Sequence, residues 1–212
     1  VIGDRAAGTS ADIVMLVGGA FADGLMEGGV LPVIKHMPGH GRATADSHHG
    51  LPVVSTPVTE LASTDFPPFR ALADLPWGMT AHVLYTALDE FEPATMSESI
   101  IKTVIRDHIG FGGVLITDDL SMKALSGSLA SRVKTALKAG CDVVLHCNGD
   151  MEEMQEVVDA CRSLSLKSQG RIERAEAMRR AAAPLDRKMA SARLAELFED
   201  QAPETVANFA GL

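Results

Sequence analysis

The sequence predicts an α/β fold built on a parallel sheet, and two patterns carry that prediction. Short apolar runs of the kind buried on both faces alternate with amphipathic helical stretches, four times over. Polar, chemistry-bearing residues cluster just after those runs, at Lys35–His48, His82, Asp118–Asp119 and Asn148. A parallel α/β sheet carries its active site at those carboxyl ends. With 212 residues, 46% of them hydrophobic, the chain is long enough for one substantial core.

Taken in order, Gly3–Ser10 reads as a loop. Ser10 can N-cap a helix from Ala11 to about Glu27, with Asp12 near the positive end of its dipole. Its residues Ile13, Val14, Leu16, Val17, Ala20, Phe21 and Leu25 make one broad apolar face, and Gly28 and Gly29 stop it. Val30–Ile34 is the first buried strand. It releases the loop KHMPGHGRATADSHH, which holds four of the seven histidines and is closed by LPVVSTP. Glu60–Leu75 is partly helical and broken at Pro67 and Pro68. Trp77–Leu84 is the second strand, with His82 near its end. Ser97 caps a helix carrying Ile100, Ile101, Val104 and Ile105, ended by Gly110. Gly113–Thr117 is the third strand and delivers Asp118 and Asp119. Leu129–Ala139 is a helix stopped by Gly140, and Cys141–Cys147 is the fourth strand. Asp150 and Glu153 suggest a capping box for a helix with Met151, Met154, Val157, Val158 and Cys161 inward. Beyond Gly170 the chain is helical, interrupted by Pro184, and Gln201–Leu212 reads as a loosely held tail.

Several function classes are disfavoured. A net charge of −9 argues against a nucleic-acid binder. No apolar run approaches the roughly 20 residues of a membrane span. Cys141, Cys147 and Cys161 are too few and oddly numbered for a disulfide framework, which points to a reducing compartment. The chain opens on Val1 without a visible signal peptide, and VIGDR reads like the middle of a longer protein.

Three constellations could do chemistry. Asp118 and Asp119 directly follow an apolar strand, where a carboxylate costs desolvation unless something uses it. One of them can serve as a cap; a single cap leaves the other to be explained. In a turn Asp46 and His48 could lie close enough for the carboxylate to hold one imidazole nitrogen, which would fix the tautomer and raise the ring's basicity; the bland alternative is a solvated loop. Lys35 and His36 at a strand end could donate to substrate hydroxyls, or Lys35 could snorkel at the sheet rim. His82 reads more simply as a satisfied core histidine. His36, His40, His48 and His49 with Asp46 could also supply zinc ligands, although no HExxH spacing is present. Neither a GxGxxG, a Walker-type loop nor a GxSxG elbow occurs.

The segments KHMPGHG, ATADSHHGLP, MTAHVLYTALD, PATMS, GFGGVLITDDLSM and AGCDVVLHCNGD, in this order over about Val1–Asp150, resemble glycoside hydrolase family 3. The likeness is greatest to the bacterial β-N-acetylglucosaminidases of peptidoglycan recycling. The resemblance implies a (β/α)8 TIM barrel, of which this chain is expected to hold the last four β/α units plus C-terminal helices. Residues 1–168 would be the C-terminal half of the barrel domain, and 169–212 a helical extension and tail. Four strands alone are too few for a closed barrel, and 212 residues is short against about 250.

The resemblance also implies roles. Asp118 of TDDLSM is similar to the catalytic nucleophile. His48 of DSH resembles the general acid/base, and Asp46 its dyad partner. Lys35 and His36 resemble a pair that binds sugar hydroxyls, and Arg5 of IGDR an arginine that contacts substrate. Met37 stands where Phe or Ile is commoner, an apolar exchange. The implied activity is retaining exo-hydrolysis of terminal GlcNAc from muropeptides such as GlcNAc–anhydro-MurNAc, in the cytoplasm. It needs no metal or organic cofactor, no nucleic acid and no membrane, and the full-length protein is expected to be a monomer. A β-glucosidase, a phosphorylase or a metal-dependent hydrolase stands as the alternative within enzymes. Outside them, the alternative is an inactive half-barrel with weak sugar binding.

Overall fold

A computed structural model describes Gly3, residues 6–45, Ser47 and residues 49–198. Its principal sheet has four strands: β1 (Val33–Met37), β3 (Trp77–Thr80), β5 (Val114–Asp119) and β6 (Val143–Leu145). All pairings are parallel, and the spatial order β1-β3-β5-β6 is the chain order. A doubly wound sheet reverses its order at a switch point; a sheet that never reverses is wound one way, as in a barrel wall. A two-stranded parallel ribbon, β2 (Val53–Val54) with β4 (Leu84–Tyr85), lies apart from it. The expected second strand is therefore shorter than Trp77–Leu84: its last residues leave the main sheet to pair elsewhere.

Helix α1 (Ala11–Glu27) has the expected bounds, with the Ser10 hydroxyl accepting from the Ile13 N–H at 3.3 Å. Helix α2 (Val58–Thr64) is followed by α3 (Pro67–Ala71). Pro67 and Pro68 open α3, where a missing N–H costs nothing, so the break predicted there is also a start. A π-helix spans Ile100–His108; the Ser97 hydroxyl accepts the Ile100 N–H, and the Ile109 N–H reaches back five residues to the Val104 carbonyl. It buries Ile100, Ile101, Val104 and Ile105 against the sheet, each worth roughly 1.5–3 kcal/mol of transfer free energy. Helix α4 (Leu129–Ala139) ends at Gly140, whose φ of +121° is a conformation L side chains rarely adopt. Gly78, in the middle of β3, has no room for a side chain, because Met37 Cε and Phe111 Cζ lie 2.8 and 2.9 Å from where a Cβ would be.

Two apolar faces differ from expectation. In α1, Leu16 and Phe21 are 74% and 71% exposed, and only Ala22 is fully buried. In α5 (Met151–Ala160), Val157 is buried, whereas Met151, Met154, Val158 and the following Cys161 are exposed. Periodicity identified an apolar stripe in each case but not whether anything covers it. The capping box also forms only in part. Asp150 accepts from the Glu152 and Glu153 N–H groups, but the Glu153 carboxylate accepts from His146 Nε2 and Asn148 Nδ2 instead.

At the amino-terminal end of β6, Asp142 ties the lower side of the sheet together. Buried to 4% exposure, its carboxylate accepts from Arg106 Nη2 and the Leu115 N–H at 2.9 Å, and from Ser168 Oγ and Arg171 Nη1 at 2.8 Å. Ser168 and Arg171 belong to α6 (Leu166–Ala177), so this helix is fastened to the sheet. Burial, with the neighbouring Arg171, lowers the Arg106 pKa to about 10, against the pull of Asp142. Compactness divides the chain after Ala181. The second unit contains α7 (Arg187–Phe198), none of whose described residues is buried. Among the described residues no helix is long and apolar enough to cross a membrane.

Candidate active site

Asp118 is the penultimate residue of β5, on the carboxyl side of the sheet, and is 8% exposed. Its neighbour Asp119 is occupied locally: its carboxylate accepts the Ser121 N–H at 3.0 Å and the Ser121 hydroxyl at 2.6 Å. Burial raises the Asp119 pKa, but the Ser121 bonds, aided by Cys147, outweigh it and hold the carboxyl below its ordinary range. One aspartate thus caps the turn after the strand, and Asp118 is left over. Its Oδ1 accepts the Asp119 N–H at 2.9 Å, and its Oδ2 lies 3.6 Å from His36 Nε2.

That last distance has a consequence for shape. His36 is on β1 and Asp118 on β5, with β3 between them. In a flat sheet their backbones would stand roughly 9.6 Å apart, two strand spacings. Side chains of alternate strands meet when the wall curves, which is how one layer of a barrel interior is filled.

His36 is neutral at ordinary pH. Burial pulls its pKa from 6.5 to about 4; Asp118 opposes this, while Lys35, His40 and His82 add to it. An imidazolium here would pair with Asp118 and quench its nucleophilicity; the neutral ring leaves the carboxylate available. The shift also makes a prediction about pH. Between pH 6.5 and 4 the unfolded chain binds a proton that the folded one refuses, so stability is lost as pH falls through that window, by on the order of 3 kcal/mol in full. The His36 ring resonance should show no titration between pH 7.5 and 5 by NMR. A midpoint near 6.5 would contradict a buried, neutral ring.

His82 is fully buried. Its Nε2 is 2.9 Å from the Asp119 carbonyl, which can only accept, so Nε2 carries the proton. Burial depresses its pKa, opposed by that backbone bond, so Nδ1 is an acceptor 2.8 Å from the Thr95 hydroxyl, whose single proton it shares with the Ala81 carbonyl at 3.0 Å. Thr95 Oγ1 is in turn 2.9 Å from Thr80 Oγ1. His82 is a satisfied core histidine, and the carbonyl it holds adjoins Asp118.

The loop after β1 is anchored at points its composition did not reveal. Arg42 pairs with Asp65 at 2.8 Å and Glu60 at 2.9 Å and donates to Thr64 Oγ1 at 2.9 Å, all on or next to α2. The Tyr85 hydroxyl donates to the Gly39 carbonyl. Ser47, 5% exposed, accepts the Ala124 N–H through its carbonyl at 3.2 Å. Lys35 is exposed on β1. Arg5, Asp46 and His48 lie outside the described residues. Among the described residues no three His, Cys, Asp or Glu side chains gather as a metal site would require. A cleft of about 680 Å³ reaches Lys35 and His36 and is lined by α1, β1 and α3 residues such as Val17, Phe21, Ile34 and Phe69, together with His40 and Gly41 of the loop after β1 and Asp65 beyond α2. Asp118 is not among its lining residues.

The chain is similar in sequence and fold to known proteins. The model of the glycosyl hydrolase family 3 N-terminal domain matches residues 1–181. The β-hexosaminidase of Bordetella parapertussis is 41% identical over 152 residues, covering 70% of this chain and 43% of that protein. Among solved structures, NagZ from Neisseria gonorrhoeae, in complex with N-trifluoroacetyl-D-glucosamine, superposes with a TM-score of 0.74 at 32% identity, covering 91% of this chain and 55% of NagZ. A family 3 β-N-acetylglucosaminidase from Paenibacillus gives 0.73 at 33% identity, covering 88% of this chain and 39% of that one. The chain spans about half the length, or less, of the curated relatives it matches, from 43% to 50%.

Proposed function

The chain belongs to glycosyl hydrolase family 3, and on that premise we propose that it is the nucleophile-bearing part of a retaining exo-β-N-acetylglucosaminidase. The single observation that carries the proposal is Asp118: a carboxylate buried at a strand's carboxyl end, not consumed as a cap, beside a neutral histidine from the alternate strand. Asp118 would attack the anomeric carbon and form a glycosyl ester as the bond to the leaving oxygen breaks. His48 would give its proton to that oxygen, then take one from water as the water attacks the same carbon and frees Asp118. Asp46 would hold the His48 ring and steady its imidazolium. Lys35, His36 and Arg5 would bind the sugar. A neutral acid avoids placing a second anion beside Asp118. The names of the relatives favour GlcNAc, and the substrate we propose is a peptidoglycan-derived muropeptide, cleaved in the cytoplasm by a monomer without a cofactor.

The test is release of p-nitrophenol from β-GlcNAc and β-glucose substrates by the full-length protein, with and without phosphate and EDTA. Hydrolysis of the GlcNAc substrate indifferent to phosphate and EDTA is expected. A preference for glucose, a requirement for phosphate or loss in EDTA would each favour one of the other enzymes.

A second reading has its own observation. The exposed Leu16 and Phe21 of α1 and the free side of β1 describe a half-wall with uncovered apolar surface. On that reading the 212-residue chain alone binds sugar weakly and hydrolyses nothing. A sharp thermal melt together with Asp118-dependent hydrolysis by the chain alone would exclude it.

A further inference from the structure

We propose that Arg132 is a positioning residue for the acid/base loop, acting through the segment that joins β5 to α4. The proposal rests on the reading of the chain as a retaining glycosidase. The segment begins at Asp119, next to Asp118, and runs through residues 120–127 in turns that leave several carbonyls without helical or sheet partners. Arg132, in the first turns of α4, engages four of them. Its Nη1 donates to the Leu120 carbonyl at 2.7 Å and the Met122 carbonyl at 3.3 Å, its Nη2 to the Leu125 carbonyl, and its Nε to the Ser126 carbonyl at 3.4 Å. Charge-assisted bonds of this kind are about twice as strong as neutral ones, and only a planar guanidinium reaches four acceptors at once.

The far side of the same segment touches the loop after β1. Ala124 and Leu125 are buried to 6% and 5% exposure, and the Ala124 N–H donates to the Ser47 carbonyl. Ser47 is bonded covalently to both Asp46 and His48. One clamped segment therefore starts at the nucleophile and ends against the residue between the two members of the dyad. On this proposal Arg132 steadies the segment against which Ser47 rests, without touching substrate. Misplacement by about 1 Å is enough to cost such a site a hundredfold.

A merely structural arginine would weaken every step alike, so the test separates the steps. For Arg132→Met and Arg132→Lys in the full-length protein, kcat/KM is measured on two aryl β-GlcNAc substrates. One is 2,4-dinitrophenyl, which departs without a proton; the other is phenyl, which needs one. The proposal expects Arg132→Met to lose about tenfold or more on the phenyl substrate while staying within about threefold on dinitrophenyl, as removal of general-acid help alone would do. Arg132→Lys, which keeps the charge but not the fork, should show the same pattern more weakly. Amide exchange at Ala124 gives a readout independent of catalysis and should quicken in both variants. Equal losses on both substrates, or an Arg132→Lys protein equal to wild type in rates and exchange, would overturn the proposal. Inactivity of the wild type on both substrates would instead overturn the glycosidase reading, leaving the exchange result to judge the clamp.

Discussion

Asp142→Ala should lower the free energy of unfolding by about 3–5 kcal/mol, the usual cost of removing one partner from a buried ion pair. The reason is that Asp142 answers two cations. Arg106 and Arg171 have side-chain exposures of 13% and 10%, and both bond its carboxylate. Without it they stay buried and unpaired, and the Leu115 N–H and Ser168 hydroxyl lose their acceptor as well. Set against a domain stability of about 5–15 kcal/mol, the variant would stand near the edge of unfolding. Urea denaturation would read this as a lower midpoint at unchanged slope. Arg171→Met should cost less, because Asp142 then keeps Arg106, Ser168 and the Leu115 N–H. An Asp142→Ala protein within about 1 kcal/mol of wild type would contradict the role given to this carboxylate.

The second large effect is on rate. Asp118→Asn should reduce hydrolysis of a GlcNAc glycoside by roughly 10,000-fold or more, as loss of a covalent nucleophile does, with little change in stability. The stability clause follows from the surroundings. Among the described residues Asp118 holds no buried cation: its nearest charged candidate, His36, is kept neutral, and its Oδ1 accepts the Asp119 N–H alone. Asparagine can preserve that bond through its amide oxygen. Asp119→Asn makes a useful contrast, since Asp119 caps a turn through Ser121 and should affect folding of the β5–α4 segment more than chemistry.

These two carboxylates differ in how far they could be read from sequence. Asp118 was legible because it directly follows GVLIT, and a strand end is where a parallel sheet does chemistry. Asp142 lies inside CDVVLHC, which reads as a strand; a charged residue among apolar ones is the one sign there that a buried partner must exist. The extents of α1 and α4 were legible because glycines follow both and a capping serine precedes α1. Strand β1 begins at Val33 and not Val30, because pairing of Val33 with Trp77 sets the start, and an apolar run does not encode its partner. The uncovered faces of α1 and α5 were invisible for a similar reason: a stripe says what can be buried, not what buries it. Within the site, the approach of His36 to Asp118 depends on curvature across three strands, and the anchoring by Arg42 and Arg132 on bonds that have no spacing signature. Arg42 and Tyr85 hold the described part of the loop after β1 despite its glycines.

The central claim is that Asp118 becomes covalently attached to the sugar. Incubation of the full-length protein with 5-fluoro-β-GlcNAc fluoride, whose ester intermediate turns over slowly, followed by intact-mass and peptide-mapping mass spectrometry, tests it most directly. The account predicts one added fluorosugar per chain, on the peptide containing Asp118, and none in Asp118→Asn. An adduct on another residue, or turnover of the fluoride by wild type with inversion at the anomeric carbon and no adduct, would contradict it.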